Sequence, residues 1–204
     1  MNTIAKGKSR VDVRKICVTG MMGALASILM FIEFPIPALI PSFIKFDLSE
    51  LPALLTSFAL GPVYGVVVCL IKNLVNLMNS SSGGVGELSN FILGCAFVFP
   101  AGLVYKLKQT RISAFIASLC GALFMAVLSI FSNYFFIYPI YEKFMPMEAI
   151  LDAYRAINSH VDTLWDALIW FNAPFTFIKG LCCVAITFLV YKKLSPILKG
   201  KKRQ

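Results

Sequence analysis

Lys72 and Lys179 each stand inside a long apolar run, where an ammonium group is costly unless a counter-charge or a polar cavity receives it. Around each, uncharged polar residues recur at helical spacing. Asn172, Thr176 and Lys179 stand at i, i+4 and i+7, which at about 100° per residue places them on one helix face. Lys72, Asn76 and Asn79 repeat that spacing, and Ser129 with Asn133 forms an i, i+4 pair. Amides, hydroxyls and an ammonium in such stripes suit recognition of a polar ligand. Asp47, Glu50 and Glu87 are candidate carboxylate partners for Lys179, and Lys45, Asn90 and Tyr138 join the candidate binding residues. A lone buried amide often only fastens helices, at roughly 0.6 kcal/mol a bond, but helix packing rarely needs an ammonium in mid-membrane.

Catalytic chemistry has little material. His160 is the single histidine, and no paired acidic motif, metal cluster or Ser/His/Asp arrangement falls at one depth. Cys17, Cys69, Cys95, Cys120, Cys182 and Cys183 lie scattered through apolar runs without CxxC pairing and read as small apolar residues. No G-x-x-x-x-G-K-[ST] loop occurs, so the chain does not hydrolyse ATP by that route. The aromatic residues Phe46, Phe135, Phe136, Tyr138 and Phe175 are expected to wall a flat ligand.

The elements that position these residues must be membrane helices. The chain has 204 residues, 58% hydrophobic and 14% charged, with a mean hydropathy of +0.79, more apolar surface than one soluble core hides. Apolar runs and their breakers predict six spans, at 14–33, 48–60, 62–79, 88–108, 112–139 and 166–193, in a single all-α membrane domain over 1–204. Gly61-Pro62 implies a tight hairpin between the second and third spans. Residues 34–47 form an apolar, proline-rich loop that favours extended backbone, and the stretch from Tyr141 to Trp165 is a longer polar connection with room for short helices.

The net charge is +9, but the basic residues flank spans and form no nucleic-acid groove, so topology explains them. Lys6, Lys8, Arg10, Arg14 and Lys15, then Lys106, Lys108 and Arg111, then Lys192, Lys193, Lys199, Lys201, Lys202 and Arg203 all fall on one side. Only Lys45, Lys143 and Arg155 fall in the opposite loops. Six spans with both termini cytoplasmic satisfy this pattern. A rise of about 1.5 Å per residue places Lys179 about 20 Å below the outer end of its helix, with Thr176 and Asn172 nearer the outside. The stripes converge on an outward-facing cup, because the tail from Leu181 to Val190 is almost wholly apolar. Gly20, Gly23, Ala24 and Ser27 give two small-xxx-small pairs on the first span, a docking face for another helix.

Several stretches carry a resemblance when taken in order: Phe34-Pro-Ile-Pro37, Phe43-Ile-Lys-Phe-Asp-Leu-Ser-Glu-Leu-Pro52, Gly61-Pro-Val-Tyr-Gly65, Lys72-Asn73, Asn133-Tyr-Phe-Phe-Ile-Tyr-Pro139 and Pro174-Phe-Thr-Phe-Ile-Lys-Gly180. The chain resembles the substrate-binding S components of energy-coupling factor (ECF) vitamin transporters, and among them the riboflavin-specific members. The resemblance implies a six-helix S-component fold in a prokaryotic cell membrane, with the loop after helix one covering an outward-facing riboflavin site. It implies that riboflavin is a transported ligand and not a cofactor. It also implies three partner subunits, a transmembrane coupling subunit that meets helix one and two cytoplasmic ATPases. By position, Asn133 and Lys179 match the family's polar contacts to the isoalloxazine ring, while Lys45, Phe46 and Asp47 fall in the covering loop. Thr176 departs from the asparagine common in the family's Pro-Phe-Asn-x-x-Lys stretch and loses an amide's paired donor and acceptor; Asn172 stands one turn away. The nearest alternative is an S component for thiamine, folate or biotin. A stand-alone secondary transporter would show an internal repeat, and none is evident.

Overall fold

Asp12 starts the first helix, its carboxylate accepting the Lys15 backbone N–H at 3.4 Å, and the apolar run behind it forms α1, Val13–Phe31. The computed structural model describes residues 12–80 and 82–199. The basic residues Lys6, Lys8, Arg10, Lys201, Lys202 and Arg203 lie outside the described residues. After α1 the proline-rich loop folds back on itself. Its two short strands, β1 (Phe34–Pro35) and β2 (Lys45–Phe46), pair antiparallel with Phe34 opposite Phe46.

Two short helices follow, α2 (Glu50–Leu60) and α3 (Pro62–Leu77). Gly61 joins them with φ at +116°, a conformation that L side chains rarely adopt, and Pro62 starts α3 where its missing N–H costs nothing. The hairpin is tight: a Cβ on Gly65 would sit 2.7 Å from the Ser57 side chain. Next come α4 (Val85–Leu107) and α5 (Arg111–Ser132), the latter capped by the Thr110 hydroxyl accepting the Ser113 N–H at 3.1 Å. A π turn at Asn133–Ile137 carries α5 into α6 (Tyr138–Tyr141). The polar connection holds α7 (Met147–Arg155). Then α8 (Leu164–Ala167) runs through a second π turn, Leu168–Asn172, into α9 (Ala173–Lys199).

Six apolar helical segments therefore appear within a few residues of the six predicted. Four of them, Val13–Phe31, Val85–Leu107, Arg111–Tyr141 and Leu164–Val190, are long and apolar enough to cross a membrane. With 11 and 16 residues, α2 and α3 measure about 16 and 24 Å, short of a bilayer core of roughly 30 Å. Large apolar side chains stand exposed along the bundle, Phe99, Leu103, Ile112 and Phe124 among them, as lipid contact requires. The chain is a membrane protein.

Two cores hold it together. One lies between α1, α2, α3, α4, α5 and α9, around Leu54, Val68, Phe97 and Ala117. The other lies at the hairpin end, where Ile40 meets Tyr138, Ile150, Tyr154, Leu168 and Phe175. The four small residues predicted to form one docking face are divided between two. Gly23 and Ser27 are buried; a Cβ on Gly23 would meet Ile71 of α3 at 2.8 Å, and the Ser27 hydroxyl donates to the Gly23 carbonyl. Gly20 and Ala24 are exposed, and nothing lies within 4 Å of a Cβ on Gly20. An i, i+4 spacing cannot distinguish adjoining faces of a helix that is packed on one side only.

Candidate functional site

The hairpin ends at Asp47, and that residue ties it to the bundle. The Asp47 carboxylate accepts the Ser49 backbone N–H at 2.8 Å and the Ser49 hydroxyl, which fixes the chain's entry into α2. Its other oxygen takes the Lys179 ammonium of α9 at 2.8 Å. Lys179 also lies 3.3 Å from Glu50. Lys72 of α3 reaches the same carboxylate at 3.0 Å and the Ser49 hydroxyl. Two ammonium groups and two carboxylates thus form a buried, formally neutral set in which each charge has an opposite partner, the condition under which such burial is tolerated. Burial works to raise the Asp47 carboxyl. The charges of Lys179 and Lys72, with hydrogen bonds from Lys179 and Ser49, outweigh it and hold the group at about 2, below its ordinary 3.8.

Beside this set both π turns contribute residues to one cavity. Each inserts one extra residue into a helix and so turns the following face, a feature that recurs at functional sites. Asn133, at the start of one turn, and Asn172, at the end of the other, both line the cavity. Asn133 accepts a long bond from Ser89 at 3.4 Å. Asn172 belongs to a closed ring: its amide oxygen accepts the Tyr154 phenol at 2.5 Å, its amide nitrogen donates to Tyr138 at 3.1 Å, and the two phenols touch at 2.5 Å. Burial pushes the Tyr154 phenol well above its ordinary value, so it keeps its proton.

Between hairpin, bundle and π turns lies a cavity enclosing about 1020 Å³ of empty space, open mouth included. Of the predicted binding residues, Asn133, Lys179, Thr176, Asn172, Lys45, Asp47, Asn76, Glu87, Asn90 and Tyr138 line it. Lys72 is not among the lining residues; it is wholly buried behind Glu50 and Ser49. Phe46 also stays out and packs between Phe34 and Phe175. Phe135 and Phe136 are exposed on the bundle surface, and Asn79 is exposed beyond the end of α3, so the α3 stripe reaches the cavity only through Asn76. Glu87 does not reach Lys179; it accepts the Ser80 and Ser82 hydroxyls at 2.8 and 3.2 Å.

Glu33, Ser89, Met125 and Tyr141 line the cavity without having been singled out. Glu33 had one visible signal, a lone acid at the end of an apolar run twelve residues before a lone lysine, and the two ion-pair across the hairpin. Two buried acceptors on lining residues, Glu50 Oε2 and Asn90 Oδ1, have no hydrogen-bond partner, which in a native protein calls for an explanation. Among the described residues no group of three or more His, Cys, Asp or Glu is placed to hold a metal ion.

Comparison with known proteins gives a consistent result. A family model described as the substrate-specific component of ECF transporters matches residues 14–191. The riboflavin transporter RibU of Staphylococcus aureus (strain TCH60) is 31% identical over 186 residues, 91% of this chain and 93% of that protein. The riboflavin transporter FmnP of Bacillus subtilis (strain 168) is 30% identical over 195 residues, 94% and 97% of the two chains. Among solved structures, the S component of a bacterial ECF transporter superposes with a TM-score of 0.72 at 31% identity, covering 93% of this chain and 99% of that one.

Proposed function

The chain belongs to the family of substrate-specific components of ECF transporters, and from that premise we propose that it is the riboflavin-binding subunit of an ATP-driven vitamin uptake system in a prokaryotic plasma membrane. Two riboflavin-transporter relatives at 30% identity or more, each covering over nine-tenths of the chain, support the choice of ligand. All six apolar segments lie across the bilayer in this reading, α2 and α3 as a short pair joined at Gly61 beneath the hairpin. Both termini are cytoplasmic, as the clustering of Lys and Arg requires, and the cavity opens outward.

The observation that carries the reading is the cavity's polar inventory. Lys179, Asn133 and Asn172 offer donors, while Glu50 and Asn90 hold buried acceptors without partners. A flavin's carbonyls meet the first group, and its ring N–H and ribityl hydroxyls meet the second. Ile40, Phe43, Ile44, Leu93 and Phe175 give the flat rings apolar walls. The hairpin acts as a lid whose foot is Asp47. Energy comes from separate subunits, a transmembrane coupling protein that meets α1 on its Gly20 and Ala24 face and two cytoplasmic ATPases.

The decisive experiment is to purify the protein in detergent, denature it and identify what it releases. Flavin absorbance at one equivalent per chain is the expected result. A colourless protein that also fails to bind added riboflavin, or that releases another vitamin, overturns the assignment.

A further inference from the structure

Tyr154 stands on α7 in the connection between the last two long helices, wholly buried yet outside the cavity lining. Its hydroxyl has one proton, which goes to the Asn172 amide oxygen at 2.5 Å. The contact between the two phenols is then donated by Tyr138, and Asn172 closes the ring by donating to Tyr138 at 3.1 Å. A closed ring of this kind has a direction. Each phenol spends its only proton inside the ring, so the Tyr138 hydroxyl has none left for the cavity it lines. Asn172 spends one of its two amide N–H bonds and keeps the other.

We propose that Tyr154 is a positioning residue for the ligand site: through the ring it locks the Asn172 amide in one orientation, so that this wall offers the ligand an N–H donor. The wall therefore selects an acceptor atom, a carbonyl or an imine-type nitrogen, and disfavours a ligand that presents a hydroxyl or N–H donor there. Without the Tyr154 proton the Asn172 amide is free to turn over and the Tyr138 proton is free to enter the cavity. A site built for an acceptor then shows mixed polarity, and an unmatched polar pair in a buried site is penalised more than a missing contact. The placement also explains why a polar loop carries a buried tyrosine. On α7, Ile150 and Tyr154 stand at i and i+4 and face the hairpin-end core, which seats the phenol between the two π turns.

This role rests on the riboflavin reading, and the test separates the two. Wild type, Tyr154→Phe, Asn172→Ala and the double variant are purified in detergent and titrated with riboflavin. Tyr154→Phe weakens binding by about tenfold, the worth of one buried hydrogen bond to an uncharged partner. In the Asn172→Ala background the same change has no further effect, because the residue it positions is gone. An equal loss in both backgrounds means that Tyr154 supports the fold at large and overturns the proposal, as does unchanged binding by Tyr154→Phe. Asn172→Asp guards against a poorly folded Tyr154→Phe: it keeps an acceptor for both phenols while it replaces the amide's two N–H bonds with a carboxylate oxygen. Binding that matches wild type in this variant also overturns the role. A wild type that binds no flavin overturns the ligand assignment and the role with it.

Discussion

Lys72→Met removes one of two cations from the buried set formed with Lys179, Asp47 and Glu50. The methionine keeps most of the aliphatic stem, so the change is chiefly one of charge. The Lys72 side chain has no exposed surface and that of Glu50 only 3%, so water cannot take the place of the lost partner. Removing one member of a buried pair costs about 3–5 kcal/mol. In a chain of about 200 residues each kcal/mol moves Tm by about 2–4 °C, so the melting temperature falls by about 6–20 °C. Glu50 then relies on Lys179 alone, which Asp47 already holds at 2.8 Å, and riboflavin affinity falls as Lys179 is drawn down. Lys72→Met combined with Glu50→Gln restores neutrality and leaves the Asp47–Lys179 pair intact, so it recovers more than half of the lost melting temperature. The assay is thermal unfolding of ligand-free protein in detergent at a fixed scan rate. A double variant that melts at or below the single one refutes the charge-balance argument.

Lys179→Ala and Asn133→Ala each weaken riboflavin binding by at least about tenfold, measured by titration in detergent; unchanged affinity in both would remove them from the site. Gly23→Leu lowers the yield of folded protein because a Cβ there would meet the Ile71 side chain at 2.8 Å, whereas Gly20→Leu folds and binds normally since nothing lies within 4 Å of a Cβ at that position. Loss of uptake in cells with Gly20→Leu, binding intact, is the expected mark of a docking defect. The Asp47 carboxyl is lower in the folded state, at about 2, than its ordinary 3.8. Its contribution is therefore complete above pH 3.8 and lost as pH falls toward 2, so Asp47→Asn lowers the melting temperature by the same amount at pH 5 and at pH 8. A gap that closes between those values contradicts the ion pair.

The apolar helical segments, the Gly61-Pro62 break and the polar stripe leading into α9 were legible in the sequence because each rests on a local rule. Gly61 and Pro62 mark a turn wherever they occur in an apolar run, and Asn172, Thr176 and Lys179 share a face in any helix. The two lysines show where local rules end. Lys72 and Lys179 carry the same signature, an ammonium with amides or hydroxyls at helical spacing. Only the third dimension separates them: the start of α2 closes Glu50 and Ser49 over Lys72, while Lys179 lines the open cavity. The π turns were illegible for a related reason. A single extra residue in a helix leaves no mark on hydropathy, yet the turns set how the residues after them, Tyr138 on α6 and Thr176 and Lys179 on α9, face relative to the helix before. Tyr154 was hidden because a tyrosine in a polar loop reads as an exposed one, although its i, i+4 pairing with Ile150 was there to be found.

The ion pair at the lid's foot invites the objection that Lys179, held by Asp47 and Glu50, is spent and has nothing to give a ligand. Its donor count answers this. An ammonium group has three N–H bonds; Asp47 takes one at 2.8 Å, Glu50, an ion-pair partner at 3.3 Å, takes at most a second, and at least one is left for the cavity that Lys179 lines. Two carboxylates then act as a mount, fixing the nitrogen so that its remaining bond is aimed before the ligand arrives, which reduces the ordering cost of binding. An arginine there would spread its charge over a planar fork that this single-point mount does not fit. Asp47 joins the mount to the hairpin, so the lid's foot and the ligand-facing donor are set by one contact, and a change that loosens the lid also misdirects the ammonium.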